Sequence, residues 1–107
     1  MIILAIEQST STGSIALLKN KDLIDESSWN DSRFHEDHLF SVLPGFLERN
    51  SLEPASVDAF AVGVGPGSFA GLRISLSAAR GLALPDKKPV IGVSSGEALA
   101  YRSEEVV

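Results

Sequence analysis

The sequence predicts a single α/β domain in the order βββ-α-β-α-β, with the start of a further helix after the last strand. Three observations predict it. Polar turns separate three short strand-like runs in the first thirty residues, the pattern of an antiparallel meander. Leu39, Val42, Leu43, Phe46 and Leu47 then recur at i, i+3, i+4, i+7 and i+8, the stripe of an amphipathic helix. After that, apolar strand-length runs alternate with helical ones. The chain has 107 residues, enough for one domain that buries roughly 65% of its extended surface.

Each element follows from local residue chemistry. Ile2 to Ile6 is a continuous apolar run and reads as a buried strand. Ser9-Thr10-Ser11-Thr12-Gly13 is a polar turn, and Ser14 to Leu18 is the second strand. Lys19-Asn20-Lys21-Asp22 turns the chain into a more polar third strand, Leu23 to Trp29, which reads as an exposed edge. Asp31 or Ser32 can cap the first helix. Pro44 lies inside that helix and removes one backbone donor, so a bend or a late start is expected. Asp58 to Val64 is a buried strand, Gly65-Pro66-Gly67 a turn, and Ser68 to Leu84 a second helix stopped by Pro85. Val90 to Val93 is the last strand, and Ser94 or Ser95 opens the final helix.

Composition narrows the function classes. Apolar residues make up 44% and charged residues 21%, a globular balance. The net charge of −5 disfavours a stand-alone nucleic-acid binder, which needs a concentrated positive surface. There is no cysteine, which excludes disulfides, thiolate metal sites and a Cys nucleophile. The N-terminus lacks the basic start of a signal peptide, and no run approaches about 18 apolar residues, so a cytoplasmic protein is expected.

The densest chemical signal is Gly63-Val64-Gly65-Pro66-Gly67-Ser68-Phe69-Ala70-Gly71-Leu72-Arg73. Five of the nine glycines lie between Gly63 and Gly81. A strand entering a Gly-rich turn and then a helix N-terminus can bind an anion through its N–H groups. The same glycines could instead serve close packing and capping. No Gly-Lys-Ser/Thr end follows, so this is not a Walker loop, and the preceding meander is wrong for a dinucleotide fold. Glu7 ends the first strand beside Ser9, Thr10 and Thr12. It reads either as a carboxylate that holds hydrated Mg²⁺ next to a phosphate or as an ordinary polar strand end. Glu7, Ser9, Thr10, Thr12, Gly65, Gly67 and Ser68 are therefore the candidate phosphate or nucleotide residues. His35 and His38 lie three apart with no third metal ligand nearby, and no Ser has an evident His and Asp pair.

The second helix is unusual on a helical wheel. Gly71, Ile74, Ser75, Ala78 and Leu82 share one flank, and Leu72, Leu76, Ala79 and Ala83 the adjoining one. Only Arg73, Ser77 and Arg80 fill the polar sector. An apolar arc on the order of 200° is wider than one sheet contact needs. The helix is expected to meet its sheet on one side, and the first helix, a partner protein or both on the other. Its small side chains suit close helix–helix approach.

These blocks resemble a known family. Ile3 to Thr10 resembles an "ILAIDTST" opening. GVGPGSFAGLRISLSAARGLAL, Gly63 to Leu84, resembles a GxGPGSFTGxRIG-type turn and helix. Gly92-Val93-Ser94-Ser95 with Glu97-Ala98-Leu99 matches the following segment, and His35 a recurrent position. The family is TsaB, also called YeaZ, historically grouped with M22 glycoproteases. The resemblance covers this whole chain but only the first half of the family. It implies one actin-like, sugar-kinase-like ATPase lobe of the ribonuclease H-like class. Such a lobe has a mixed five-stranded sheet in the order 3-2-1-4-5, with both main helices on one face and the second lobe absent.

The resemblance also implies a role: a non-catalytic partner of the TsaD-like catalytic subunit in making threonylcarbamoyladenosine, at the adenosine beside the tRNA anticodon. A TsaE-like ATPase completes the assembly, tRNA is met only indirectly, and the isolated lobe is expected to homodimerise. The implied interface lies on the helices Phe34–Arg49 and Ser68–Leu84, through His35, Leu39, Phe40, Leu43, Leu72, Arg73, Leu76, Ala79 and Arg80. ATP and Mg²⁺ would bind only in a full assembly, because in this fold the nucleotide sits between lobes. Glu7 stands where Asp is commoner, which weakens a metal role. Two other readings stay open: a nucleotide-binding, kinase-like lobe, and an M22-type metallopeptidase, for which the residues offer no nucleophile or metal set.

Overall fold

A computed structural model of the chain describes residues 1–8, 12–30, 36–63 and 69–93. Five strands, β1 (Ile2–Glu7), β2 (Thr12–Lys19), β3 (Asp22–Asn30), β4 (Ala59–Gly63) and β5 (Val90–Val93), form one sheet in the order β3-β2-β1-β4-β5. The helix α1 (Glu36–Arg49) links β3 to β4, and α2 (Phe69–Ala83) links β4 to β5. The first three strands pair antiparallel, whereas β1, β4 and β5 pair parallel. This mixed α/β sheet is the one expected from the sequence.

Local chemistry explains the pairing. A two-residue turn joins β2 to β3, and both of its residues, Asn20 and Lys21, have positive φ (52° and 74°). That backbone matches the twist of an antiparallel hairpin, and Asn tolerates it well. Parallel strands need a crossover, which α1 and α2 supply. The start of β4 is clamped to β1 from both directions. The Ile2 N–H donates to Asp58 Oδ2 at 2.6 Å, and the Asp58 N–H donates to the Ile2 carbonyl at 2.8 Å.

Side-chain alternation creates the core. Leu4 sits between Leu17 and Phe60 in register, and Ile6 between Ile15 and Val62. All six are buried, as are Leu39, Leu43 and Phe46 of α1 and Ala78, Ala79 and Ala83 of α2. They form one cluster, so both helices lie on the same face of the sheet. Burying each large side chain here stabilises the fold by roughly 1.5–3 kcal/mol relative to exposure. On the other face, Ile3, Ala5, Ala16, Leu18 and Ala61 are half-buried.

Pro44 does not end α1, which is helical on both sides of it. The donor that proline lacks would have met the Phe40 carbonyl, and Phe40 and Pro44 are both exposed residues, so the missing bond falls on the solvent side of the helix. Pro85 stops α2 as expected. A short 3-10 turn, Leu84–Asp86, follows, and Lys87 in the left-handed region closes it with its N–H on the Leu84 carbonyl. No helix among the described residues is long and apolar enough to cross a membrane.

Candidate functional site

Two regions carry the residues singled out by the sequence. The first is the end of the sheet where β1 and β4 both terminate. Ile6 pairs with Val62, which sets Glu7 beside Gly63. A Cβ built on Gly63 would overlap the Glu7 carboxylate, so glycine there makes the room in which that carboxylate lies. The C-terminal ends of adjacent parallel strands are where open α/β sheets bind ligands. Thr12 begins β2. Ser9, Thr10, Gly65, Gly67 and Ser68 lie outside the described residues. Among the described residues no group of three or more His, Cys, Asp or Glu side chains is placed to hold a metal. Glu7, as a single carboxylate, could hold a divalent cation only with water completing the shell.

The second region is the outer surface of α1 and α2. Phe40 is exposed, Leu72 and Leu76 are half-buried, and Arg73 and Arg80 are exposed. Arg73, Ser77 and Arg80 form one cationic stripe at i, i+4 and i+7. Three expected interface residues need correction. Leu39 (0% exposed), Leu43 (7%) and Ala79 (0%) face the lobe's own core and leave no surface for a partner. His35 lies outside the described residues.

The small residues of α2 also act differently from expectation. Gly71, Ser75, Ala78, Ala79 and Ala83 form its buried line, while Leu72, Ile74, Leu76 and Leu82 flank that line half-exposed. The stripe brings α2 down onto the ends of the strands: a Cβ on Gly71 would overlap the carbonyl oxygen of Gln8. Close approach is thus directed at the sheet.

Sequence reasoning missed Gln8. It continues the inward register of Leu4 and Ile6 and is 2% exposed. That alternation was the available signal. It also missed the tie between α1 and the edge strand. Arg49 Nε donates to Asp25 Oδ2 at 2.6 Å and Nη2 to Ser27 Oγ at 2.8 Å, while Asn50 Nδ2 donates to the same Asp25 oxygen at 2.8 Å. These donors, Arg49 first, hold the Asp25 carboxyl below its usual value of 3.8. The Arg49 guanidinium also lies 5.0 Å from the centre of the Phe46 ring.

Comparison with known proteins places this geometry. The family model for TsaD, tRNA N6-adenosine threonylcarbamoyltransferase, matches residues 28–105. The TsaB tRNA threonylcarbamoyladenosine biosynthesis protein of Haemophilus influenzae is 35% identical over 108 residues, covering 99% of this chain and 44% of that protein. Its Escherichia coli counterpart is 34% identical, covering 89% of this chain and 41% of that one. The chain therefore spans less than half the length of these curated relatives. YeaZ from Pseudomonas aeruginosa superposes with a TM-score of 0.77 at 33% identity, over 87% of this chain and 43% of that one. Thermus thermophilus RuvC (TM-score 0.59, 13% identity) shares the fold alone. So does a Listeria monocytogenes protein assigned as an N-acetylmannosamine kinase (TM-score 0.56, 20% identity). The sheet order, the actin-like and ribonuclease H-like likenesses and these matches agree: the chain belongs to the family described by the TsaD model and, within it, to the TsaB (YeaZ) proteins.

Proposed function

We propose that this chain acts in the formation of threonylcarbamoyladenosine on tRNA as the first lobe of a TsaB-type subunit. In this role it supports a TsaD-type catalytic subunit by docking through α1 and α2. The observation that carries the reading is the outward flank of α1 and α2. It keeps Phe40, Leu72 and Leu76 at least partly exposed after the core is satisfied. Arg73 and Arg80 stand beside it. An apolar patch with a cationic stripe suits a partner helix pair with an apolar centre and an acidic rim. In this reading the lobe supports catalysis and the chemistry is left to the TsaD-type subunit. The net charge of −5 leaves most tRNA contact to other members of the assembly, among them a TsaE-like ATPase. Alone, the lobe uses the same flank for a second copy of itself.

The test is association with a purified TsaD-type subunit, followed by light scattering coupled to gel filtration. The wild-type chain forms a complex, and Leu76→Arg loses it while its circular dichroism stays native, because Leu76 is half-exposed. Ala79→Arg is the control that unfolds the lobe, because Ala79 is fully buried. Retention of full association by a folded Leu76→Arg protein would remove this flank from the interface.

A further inference from the structure

We propose that the free edge of β5 pairs antiparallel with the same edge of a second copy of this chain. β5 closes one side of the sheet, and no described strand lies beyond it. The groups on that edge follow from the pairing with β4. Phe60 pairs with Val90 and Val62 with Gly92. The Phe60 N–H donates to the Pro89 carbonyl at 3.0 Å. Alternate residues of a strand bond to the same neighbour, so Ile91 and Val93 also turn their backbone groups toward β4. The N–H and C=O of Val90 and Gly92 therefore point away from the sheet. Side chains alternate too. Val90 packs against the core beneath the helices, and Ile91 lies on the opposite face, 50% exposed.

The two edges of the sheet are built differently. Proteins guard open edges with charges and bulges. β3 has both: Asp22, Asp25 and Glu26 lie along it, and its pairing with β2 shifts register between Leu17 and Leu18. A second β3 laid against it would bring carboxylates together. β5 is Val-Ile-Gly-Val, with no charge and an unbroken register. The strand is also complementary to itself. In one antiparallel register Val90 stands opposite Gly92 of the second copy, and Gly92 opposite its Val90. Each such pair exchanges two N–H···O bonds, so the outward groups of both residues find partners. Ile91 then falls on the two-fold axis opposite Ile91 of the second copy, with Cα atoms about 4.5 Å apart. Two half-exposed isoleucines cover each other there. The ends match in charge. Lys87 and Lys88, with Asp86, precede β5, and Glu7 lies beside Gly63 at the sheet end where β5 finishes. Antiparallel pairing brings the two lysines of one copy to the Glu7 end of the other. One symmetric contact closes the dimer, with a continuous sheet and the helices of both copies on one face.

This edge is separate from the helix flank, so the test uses the Leu76→Arg chain, in which the flank is blocked. A strand this short buries little area, so the dimer is weak and is sought at chain concentrations of about 0.01–1 mM. Analytical ultracentrifugation should show the mass rising toward a dimer across that range. Amide hydrogen exchange, read by NMR at both ends of the range, should slow with concentration at Val90 and Gly92. The Ile91 and Val93 amides, bonded to β4, should stay protected throughout. Ile91→Lys sets two ammonium groups against each other on the axis and should weaken the dimer about tenfold or more. Gly92→Pro removes only an outward donor and should weaken it as well. Ile91→Lys alters a half-exposed side chain and keeps the fold by circular dichroism should Gly92→Pro fail to. A monomer at every concentration would overturn the proposal and leave the edge to a strand of another protein. So would exchange at Val90 and Gly92 that ignores concentration, or an unaltered dimer in the folded variants.

Discussion

Gly71 in the first turn of α2 presses on the carbonyl of Gln8 at the end of β1, and the space a Cβ would need is already filled. Elsewhere in a helix, alanine in place of glycine adds about 1 kcal/mol of stability. Here the obstacle is a backbone oxygen that cannot swing aside. Gly71→Ala should therefore destabilise the lobe by about 1–3 kcal/mol, the range for overpacking a tight contact. Urea unfolding followed by circular dichroism measures it. A gain in stability would mean that α2 can lift off the sheet without cost.

Gly63 gives the opposite outcome from a similar crowding. The group that a new Cβ would meet is the Glu7 carboxylate, the far end of a flexible side chain. Gly63→Ala should swing that carboxylate away and change stability by no more than about 1 kcal/mol, since alanine also loses less entropy on folding. The Glu7 side-chain resonances should shift in the NMR spectrum while the amide shifts of the distant β3 stay in place. A loss as large as that expected for Gly71→Ala would show that the carboxylate is held firmly where it lies.

The contrast between these glycines shows what could be read in advance. The meander was legible because short polar turns leave adjacent strands no choice but to pair. The inward face of β1 was legible in its apolar run. The place of β4 beside β1 depends on contacts more than fifty residues apart, and the family resemblance supplied it. The small-residue stripe of α2 was visible, but a helical wheel gives spacing and not the neighbour, so close approach was assigned to a helix instead of a strand end. The resemblance placed an interface on both helices without saying which side chains of each helix complete the core, and Leu39, Leu43 and Ala79 do so. The Arg49–Asp25 contact, 24 residues apart, left no local pattern to read.

Gly45 and Gly81 offer stabilisation. Both lie within helices, both are exposed, and a Cβ at either would meet nothing within 4 Å. Their cost is conformational entropy alone. Gly45→Ala and Gly81→Ala should each add about 0.5–1 kcal/mol, and the double variant should add the two together because the sites share no contacts. Thermal unfolding at neutral pH checks this, and a double variant no more stable than the parent would show that one glycine is needed for the helix path.

The acid stability of the lobe should depend on Asp25. Arg49 and Asn50 donate to its carboxylate and lower its pKa below 3.8 in the folded state, while the unfolded chain keeps the ordinary value. Such a group adds stability that is fully present above its unfolded pKa and is lost as pH falls through the lower, folded value. The contact joins the C-terminal end of α1 to the exposed edge strand β3, so acid should loosen that edge first. In a series of thermal unfolding curves from neutral pH downward, Asp25→Asn should lower the midpoint at neutral pH and flatten its decline below about pH 4. Arg49→Gln should produce the same flattening, because it removes the larger of the two donors that depress the pKa. Parallel declines in the wild type and both variants would assign the acid sensitivity to other carboxylates and reduce the Asp25–Arg49 pair to a surface contact of little weight.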